Sequence, residues 1–88
     1  MRIANGMVVT RVGDAWVVIP TGEAAERLRG VVRLNDTAKV VWDGLEEGLD
    51  EEEIAARLAG RYDVDESHAL ESVRRTVDRL AGAGLVEG

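Results

Sequence analysis

The spacing of apolar residues changes from about two to about 3.6 at Asn35, and this change divides the sequence into two kinds of structure. Before Asn35, short β-branched runs alternate with glycine and polar residues, as strands alternate with turns. After Asn35, apolar residues recur every third or fourth position as far as Leu80, which is typical of amphipathic helices. A chain of 88 residues has room for one core. The sequence therefore predicts a single α+β domain spanning 1–88, with a three-stranded antiparallel sheet followed by a three-helix bundle.

Three runs rich in valine and isoleucine predict the strands, at 7–12, 15–20 and 30–34. Gly13-Asp14 separates the first two, with glycine in the first central position that a type II′ hairpin turn requires. The register of such a hairpin puts Arg11 opposite Trp16 and leaves both faces apolar. We expect the second face to be covered by the connection 21–29, which forms a loop or a short helix, or by a partner.

Three amphipathic stretches predict the helices, at 36–47, 51–61 and 66–82. Asn35 and Asp65 are candidate N-cap residues for the first and third helices. Asp50 and Glu53 form an acidic version of the capping box at the start of the second helix. Three strands followed by three helices have the outline of a winged helix.

Composition restricts the classes of partner. The net charge of -6 weighs against nucleic acid, because nonspecific affinity for phosphates comes from Lys and Arg. The chain has no Cys, which excludes disulfides and thiolate metal sites. No apolar run approaches the ~20 residues that cross a bilayer. We therefore expect a soluble, cytoplasmic protein without a nucleic-acid or membrane partner.

Residues that could support catalysis are few. His68 is the single histidine, and its place in the first turn of the third helix favours a surface role over proton transfer. The acidic run 51–53 is explained by the preference of helix N-termini for carboxylates. The ten glycines fall singly at turns and helix ends and form no phosphate-binding pattern. We expect a binding module that is not an enzyme and uses neither a cofactor nor a metal.

Two elements could bind a partner. The third strand, 30–34, ends the predicted sheet, and it carries no Pro or Lys and a single charge, Arg33. Its edge is either open to a partner's strand or covered by the connection 21–29, and the sequence leaves both alternatives open.

The third helix is the second of these elements, with an apolar stripe formed by Leu70, Val73, Val77 and Leu80. Most of this stripe is expected in the core. At 100° per residue, Glu71, Arg74 and Asp78 border one side of the stripe, so a groove lined by both charge signs is expected there.

The second half of the chain resembles the PqqD-like family, the peptide-binding domains called RiPP recognition elements. The resemblance rests on a motif and on scattered positions after it: Leu34-Asn35-x-Thr37-Ala38-x-x-Val41-Trp42-x-x-Leu45, then Gly48, Ile54-Ala55, Leu58, Tyr62-x-Val64-Asp65, Val73, Leu80 and Gly84-Leu85. The motif around Trp42 is moderately specific, whereas the later positions are helix patterning that other three-helix domains share.

The resemblance implies a winged-helix-like domain that binds the leader region of a ribosomally made precursor peptide and presents it to a modifying enzyme. In such domains the leader forms an additional β-strand beside the third strand, and its side chains pack against the third helix. Carried over by position, the strand contacts are Val31, Val32, Arg33 and Leu34. The corresponding helix contacts are Leu70, Arg74, Val77 and Asp78.

Two residues depart from the family pattern. Ser72 stands where members usually carry Asp, and Thr76 replaces a bulky apolar residue, so the groove is expected to be more polar. Asn35 and Thr37 are explained as capping residues and are not expected to contact the peptide.

Two other functions remain as alternatives. The first is an acidic winged-helix DNA binder that reads DNA with Arg74, Arg75 and Arg79, although Glu66, Glu71 and Asp78 lie on the same helix. The second is a structural homodimer in which a second copy covers the two-faced hairpin, and this alternative is compatible with peptide binding.

Overall fold

The computed structural model describes residues 1–28 and 30–87. The elements, in chain order, are β1 (Arg2–Ile3), β2 (Met7–Val12), β3 (Ala15–Pro20), α1 (Glu23–Arg27), β4 (Val32–Leu34), α2 (Asp36–Glu46), α3 (Glu51–Tyr62), α4 (Glu66–Gly82) and β5 (Val86–Glu87). β2, β3 and β4 form an antiparallel sheet in that order. The predicted α+β class, with a three-stranded antiparallel sheet and helices, is confirmed.

The β2–β3 hairpin turns at Gly13-Asp14 and places Arg11 opposite Trp16. Gly13 has a φ of 63°. The only described residue other than glycine with a positive φ is Asp63, so Asp14 has the negative φ of a type II′ turn. Glycine at the first central position therefore selects this turn, and the turn fixes the register.

The third strand is shorter than the predicted range 30–34. β4 begins at Val32, and Val31 lies just before it. Gly30 has a φ of 77°, a left-handed conformation that a strand does not contain. The β-branched residues Val31 and Val32 favour a strand that begins before Val32, but the left-handed backbone at Gly30 prevents this earlier start.

The two faces of the sheet have different environments. Val18 and Leu34, on the inner face, are both completely buried against the helices. On the outer face, Val8 is 49% exposed and Val12 is 59% exposed. The described part of the connection 21–29 therefore leaves much of the outer face open.

The core is centred on α2, whose buried side contacts the sheet and both other long helices. Trp42, its bulkiest residue, is 1% exposed. Asn35 caps α2 because its Oδ1 accepts a hydrogen bond from the amide of Ala38 at 2.8 Å. The capping box of Asp50 and Glu53 at α3 is present with both of its hydrogen bonds.

The pairing of the two chain ends was not predicted from the sequence. β1 and β5 pair as a two-stranded sheet, and the amide of Ala4 donates to the carbonyl of Leu85 at 2.9 Å beside it. The short helix α1, one of the two forms expected for the connection 21–29, buries Ala24. Strands of two residues have no measurable period, so the pairing of the chain ends is set by tertiary packing. None of the helices in 1–28 and 30–87 is long and apolar enough to span a bilayer.

Replacing Gly44 by Ala is expected to lower the free energy of unfolding by about 1–2 kcal/mol. A Cβ at Gly44 would lie 2.5 Å from Cγ1 of Ile54, which is completely buried and cannot move away freely. Gly60→Ala is the control, because a Cβ there meets nothing within 4 Å. The control should raise stability by up to about 1 kcal/mol through helix propensity. Urea denaturation measures both, and equal stabilisation by the two variants would contradict this packing of α2 on α3.

Candidate functional site

β4 lies at one edge of the sheet. It pairs with β3 through Val18 opposite Val32, Val17 opposite Arg33 and Trp16 opposite Leu34. In the part of the chain that the structure describes, no strand pairs with its other side. The backbone groups along that side are therefore available to a further strand.

The connection between β3 and β4 packs elsewhere. A Cβ on Gly6 would lie 3.1 Å from that of Ala24 in α1, and Cδ2 of Leu28 lies within 2.6 Å of a Cβ built on Gly84. These contacts hold residues 21–28 beside the chain termini. Arg29, the last residue of the predicted connection, lies outside the described residues. One alternative was that this connection covers the edge of the third strand. Residues 21–28 do not pair with β4.

Where β4 ends, a groove runs along one flank of α4. It consists of two neighbouring cavities, of about 600 Å³ and about 250 Å³, which share Thr37, Ser72 and Arg75. The residues that line it, here called the α4 groove, are Asn35, Thr37, Ala38, Leu58, Tyr62, Val64, His68, Ala69, Ser72, Arg75, Thr76 and Arg79. Asn35 directly follows β4, so the strand leads into the groove.

The two ends of the α4 groove differ in chemistry. The larger cavity has an apolar wall formed by Leu58, Tyr62, Val64 and Ala69. The smaller cavity is lined mainly by polar groups and includes Arg75 and Arg79. No Asp or Glu lines either cavity, although the whole chain has a net charge of -6. The groove can therefore accept an apolar group at one end and an anionic group at the other.

Comparison with protein families places these elements in a known group. The family model of coenzyme PQQ synthesis protein D (PqqD) matches residues 16–86, which include the edge strand and the whole α4 groove. The chain belongs to the PqqD family.

Two solved structures share the fold of this PqqD-family chain. One is TbiB1 in complex with the TbiA(beta) leader peptide, with 26% identity, a TM-score of 0.82, and coverage of 100% of this chain and 96% of that chain. The other is a lasso peptide synthetase B1 complexed with the leader peptide, with 21% identity, a TM-score of 0.81, and coverage of 99% and 96%. No curated protein matches.

The four predicted helix residues of this PqqD-family domain lie outside the α4 groove. Leu70 faces α3 in a separate depression with Glu52 and Ala55. Val77 is buried in the core, and Arg74 and Asp78 are exposed. Of the strand residues, Val32 and Leu34 lie on the inner face, Arg33 lies on the outer face, and Val31 precedes the strand and is 57% exposed.

The α4 groove lies on the opposite flank of α4 from the predicted helix contacts, which stay a prediction. At 100° per residue, Ser72 and Thr76 border the buried stripe on one side, and Leu70 and Arg74 border it on the other. The helix period identifies both flanks but does not indicate which one lies beside Asn35 and Thr37. The signals that pointed to the observed flank are Ser72 and Thr76, the two departures from the family pattern. Thr76 also donates its hydroxyl to the carbonyl of Ser72 at 3.0 Å.

Capping residues line the groove as well. Asn35 and Thr37 were expected to have structural roles only, and Asn35 does cap α2. Both nevertheless line the smaller cavity. Their position at the strand–helix junction puts them between β4 and α4, so a capping role and a place in the groove coexist.

Asp65 precedes α4 next to Val64 at the rim of the groove. Its side chain does not cap the helix backbone but accepts a hydrogen bond from the hydroxyl of Ser67 at 2.7 Å. This bond, followed by the nearby backbone amide of Ser67 and by smaller contributions that include the charge of His68, lowers the pKa of Asp65 below its usual range. No group of three or more His, Cys, Asp or Glu that could hold a metal occurs in 1–28 and 30–87.

Ser67→Ala is expected to raise the pKa of Asp65 toward its ordinary value of 3.8, because the hydroxyl donor is lost. Because folding lowers this pKa, the ionised Asp65 stabilises the folded state at pH values above its ordinary pKa. The contribution is lost as pH falls through the lowered pKa. Carboxyl NMR titration measures the change, with Ser72→Ala as the control that leaves Asp65 unaffected. An unchanged Asp65 pKa in Ser67→Ala would contradict the assigned cause.

Proposed function

We propose that this domain binds the leader region of a ribosomally synthesised precursor peptide by strand addition at β4 and presents it to a peptide-modifying enzyme. The observation that carries the proposal is the open edge of β4 leading into the α4 groove. Membership of the PqqD family supports it, as does the likeness to TbiB1, which was solved with a leader peptide. Precursor peptides are made on ribosomes, so the domain would act in the cytoplasm.

The proposed site combines a strand and a groove. Val31, Val32, Arg33 and Leu34 supply the strand, as the family resemblance implies. For the helix, the residues that line the groove, Ser72, Arg75, Thr76 and Arg79, replace the set implied by the resemblance, which was Leu70, Arg74, Val77 and Asp78. The reason is that Asn35, which directly follows β4, lines the smaller cavity together with these residues, so we expect a peptide paired with β4 to reach this flank of α4.

The two parts have separate energetic roles. Main-chain hydrogen bonds to β4 supply affinity for extended peptides of many sequences. The groove selects among them, because alternate side chains of an added strand point to the same face. The domain breaks no bond in this mechanism. It raises the effective concentration of the tethered peptide near the enzyme, which can strengthen a weak encounter by orders of magnitude.

The homodimer alternative has one observation in its favour. The outer face of the sheet exposes Val8, Val12 and Ile19. A second copy could cover this face without occupying β4 or the groove, so dimerisation would accompany peptide binding and not replace it. The DNA-binding alternative has less support, because Arg74 lies on the opposite flank of α4 from Arg75 and Arg79.

Titration with the synthetic leader of a precursor peptide identified by a search of the neighbouring genes should shift the amide NMR signals of Val31–Leu34 and of Ser72–Arg79. Main-chain pairing and groove contacts change the environment of both sets at once. A leader with proline at alternate positions is the control, because it lacks the amide donors and should bind much more weakly. Saturable binding that leaves the β4 signals unmoved would exclude strand addition.

Ser72→Tyr should weaken binding of the same leader by about tenfold or more, because a bulky side chain fills the centre of the α4 groove. Arg74→Tyr tests the flank predicted from the sequence and should have a smaller effect. Isothermal titration calorimetry measures both, and circular dichroism checks folding. If Arg74→Tyr abolished binding while Ser72→Tyr did not, the helix contacts would lie on the flank of Leu70 and Arg74.

A further inference from the structure

The smaller cavity of the α4 groove concentrates positive charge in an acidic protein. The chain has 17 acidic and 11 basic residues, yet the cavity is lined by Arg75 and Arg79 and by no carboxylate. Within 1–28 and 30–87, Arg79 makes no ion pair. Arg75 pairs with Glu71 at 3.6 Å, and both side chains are at least 70% exposed. Neither guanidinium is neutralised by a buried partner.

The other polar residues that line the smaller cavity are neutral. Oδ1 of Asn35 is occupied by the cap of α2, so its amide nitrogen remains as a donor. The hydroxyls of Thr37 and Ser72 also line the cavity. A carboxylate accepts hydrogen bonds only, and Arg presents planar donors that match it. The cavity therefore has the chemistry to bind an acidic side chain.

We infer that the leader peptide recognised at the proposed site carries an Asp or Glu whose carboxylate binds Arg75 and Arg79 in the smaller cavity. The inference rests on the proposed function and specifies which class of peptide the site selects. Arg75 and Arg79 are then the specificity-determining residues, and an apolar side chain of the same peptide occupies the larger cavity.

The position of the acid follows from strand geometry. Val32 and Leu34 lie on the inner face of β4, so the groove-facing side chains of an added strand occur at every second residue. The cavities share Ser72 and Arg75, and their α4 linings are offset by one turn: His68 precedes Ser72 in the larger cavity, and Ser72 precedes Thr76 in the smaller one. Each of these four-residue steps is about 6 Å along the helix. A strand that follows the groove covers this distance in about two residues. The acid and the apolar residue are thus separated by an even number of positions, two in the simplest case.

A display library of random peptides, selected against the immobilised full chain, tests this pattern for any leader sequence. The enriched peptides should share an Asp or Glu at an even spacing from an apolar residue. Their binding should weaken about tenfold when the acid is replaced by its amide, Asn or Gln. Binding to the double variant Arg75→Glu and Arg79→Glu should weaken at least as much, and that variant should enrich Lys or Arg at the same position.

Two further variants separate local contacts from overall charge. Ser72→Asp places a carboxylate in the groove and should weaken the selected acidic peptides by a similar factor. Arg61→Glu changes the net charge by the same amount as Arg75→Glu or Arg79→Glu, but Arg61 does not line the groove. The affinity for the selected peptides should therefore change by no more than about twofold, because exposed charges at a distance are screened. An effect of Arg61→Glu equal to that of Arg79→Glu would overturn the local contact.

The outcomes distinguish this inference from the proposed function. Peptides that shift the amide signals of β4 but share no acidic position would overturn the inference and leave the proposed function intact. If the selection enriched no peptide that contacts β4, and a leader from the neighbouring precursor also failed to bind, both would be overturned.

Discussion

The junction at Asn35 determines the geometry of the rest of the domain. Leu34 ends β4 completely buried, and α2 begins at Asp36, so a single residue joins strand and helix. Asn35 makes this abrupt change of direction stable, because its backbone is extended while its side chain caps the helix. The axis of α2 is therefore fixed relative to the edge of the sheet. Since α3 and α4 pack on α2, the position of the α4 groove beside β4 follows from this junction.

The close packing of the helices preserves this arrangement. Gly44 lets α2 approach Ile54 on α3 more closely than any larger residue would allow. The side chains of Arg57 and Glu47 form two hydrogen bonds between α3 and the end of α2, and this pair lowers the pKa of Glu47. The pair is exposed and adds little stability. The buried contact is thus the stronger constraint, and the groove depends on apolar packing more than on its own polar residues.

Local sequence signals predicted the features that depend on neighbouring residues. Gly13-Asp14 was sufficient for the hairpin and its register, and the Asp50 and Glu53 pair was sufficient for the capping box. Features that depend on distant residues were missed. The pairing of β1 with β5 joins the two ends of the chain. The helix contacts of a bound peptide also depend on how β4, α2 and α4 pack together, and the period of one helix does not contain that information, so the predicted set stays a prediction.

The candidate site shows the same division. The edge strand could be placed because it was the last β-rich run before the helices, although Gly30 shortens it at its start. The groove could not be placed, because Leu70 and Ser72 border the same buried stripe on opposite sides. Residue type favoured Leu70 and Arg74, which resemble a binding surface more than Ser72 and Thr76 do, and these helix contacts stay a prediction. The structure shows that the small side chains of Ser72 and Thr76 border open volume.

The charge distribution reconciles an acidic domain with recognition of an acidic peptide. A net charge of -6 repels anions at long range, but at physiological ionic strength this repulsion decays over about 8 Å. A carboxylate inside the groove is close to Arg75 and Arg79, whereas no Asp or Glu lines either cavity and Glu71 contacts Arg75 only in an exposed ion pair. The local attraction then exceeds the screened repulsion. Peptides with an acid at the wrong position experience only the repulsion, so the acidic surface and the basic groove together favour a single register of the added strand.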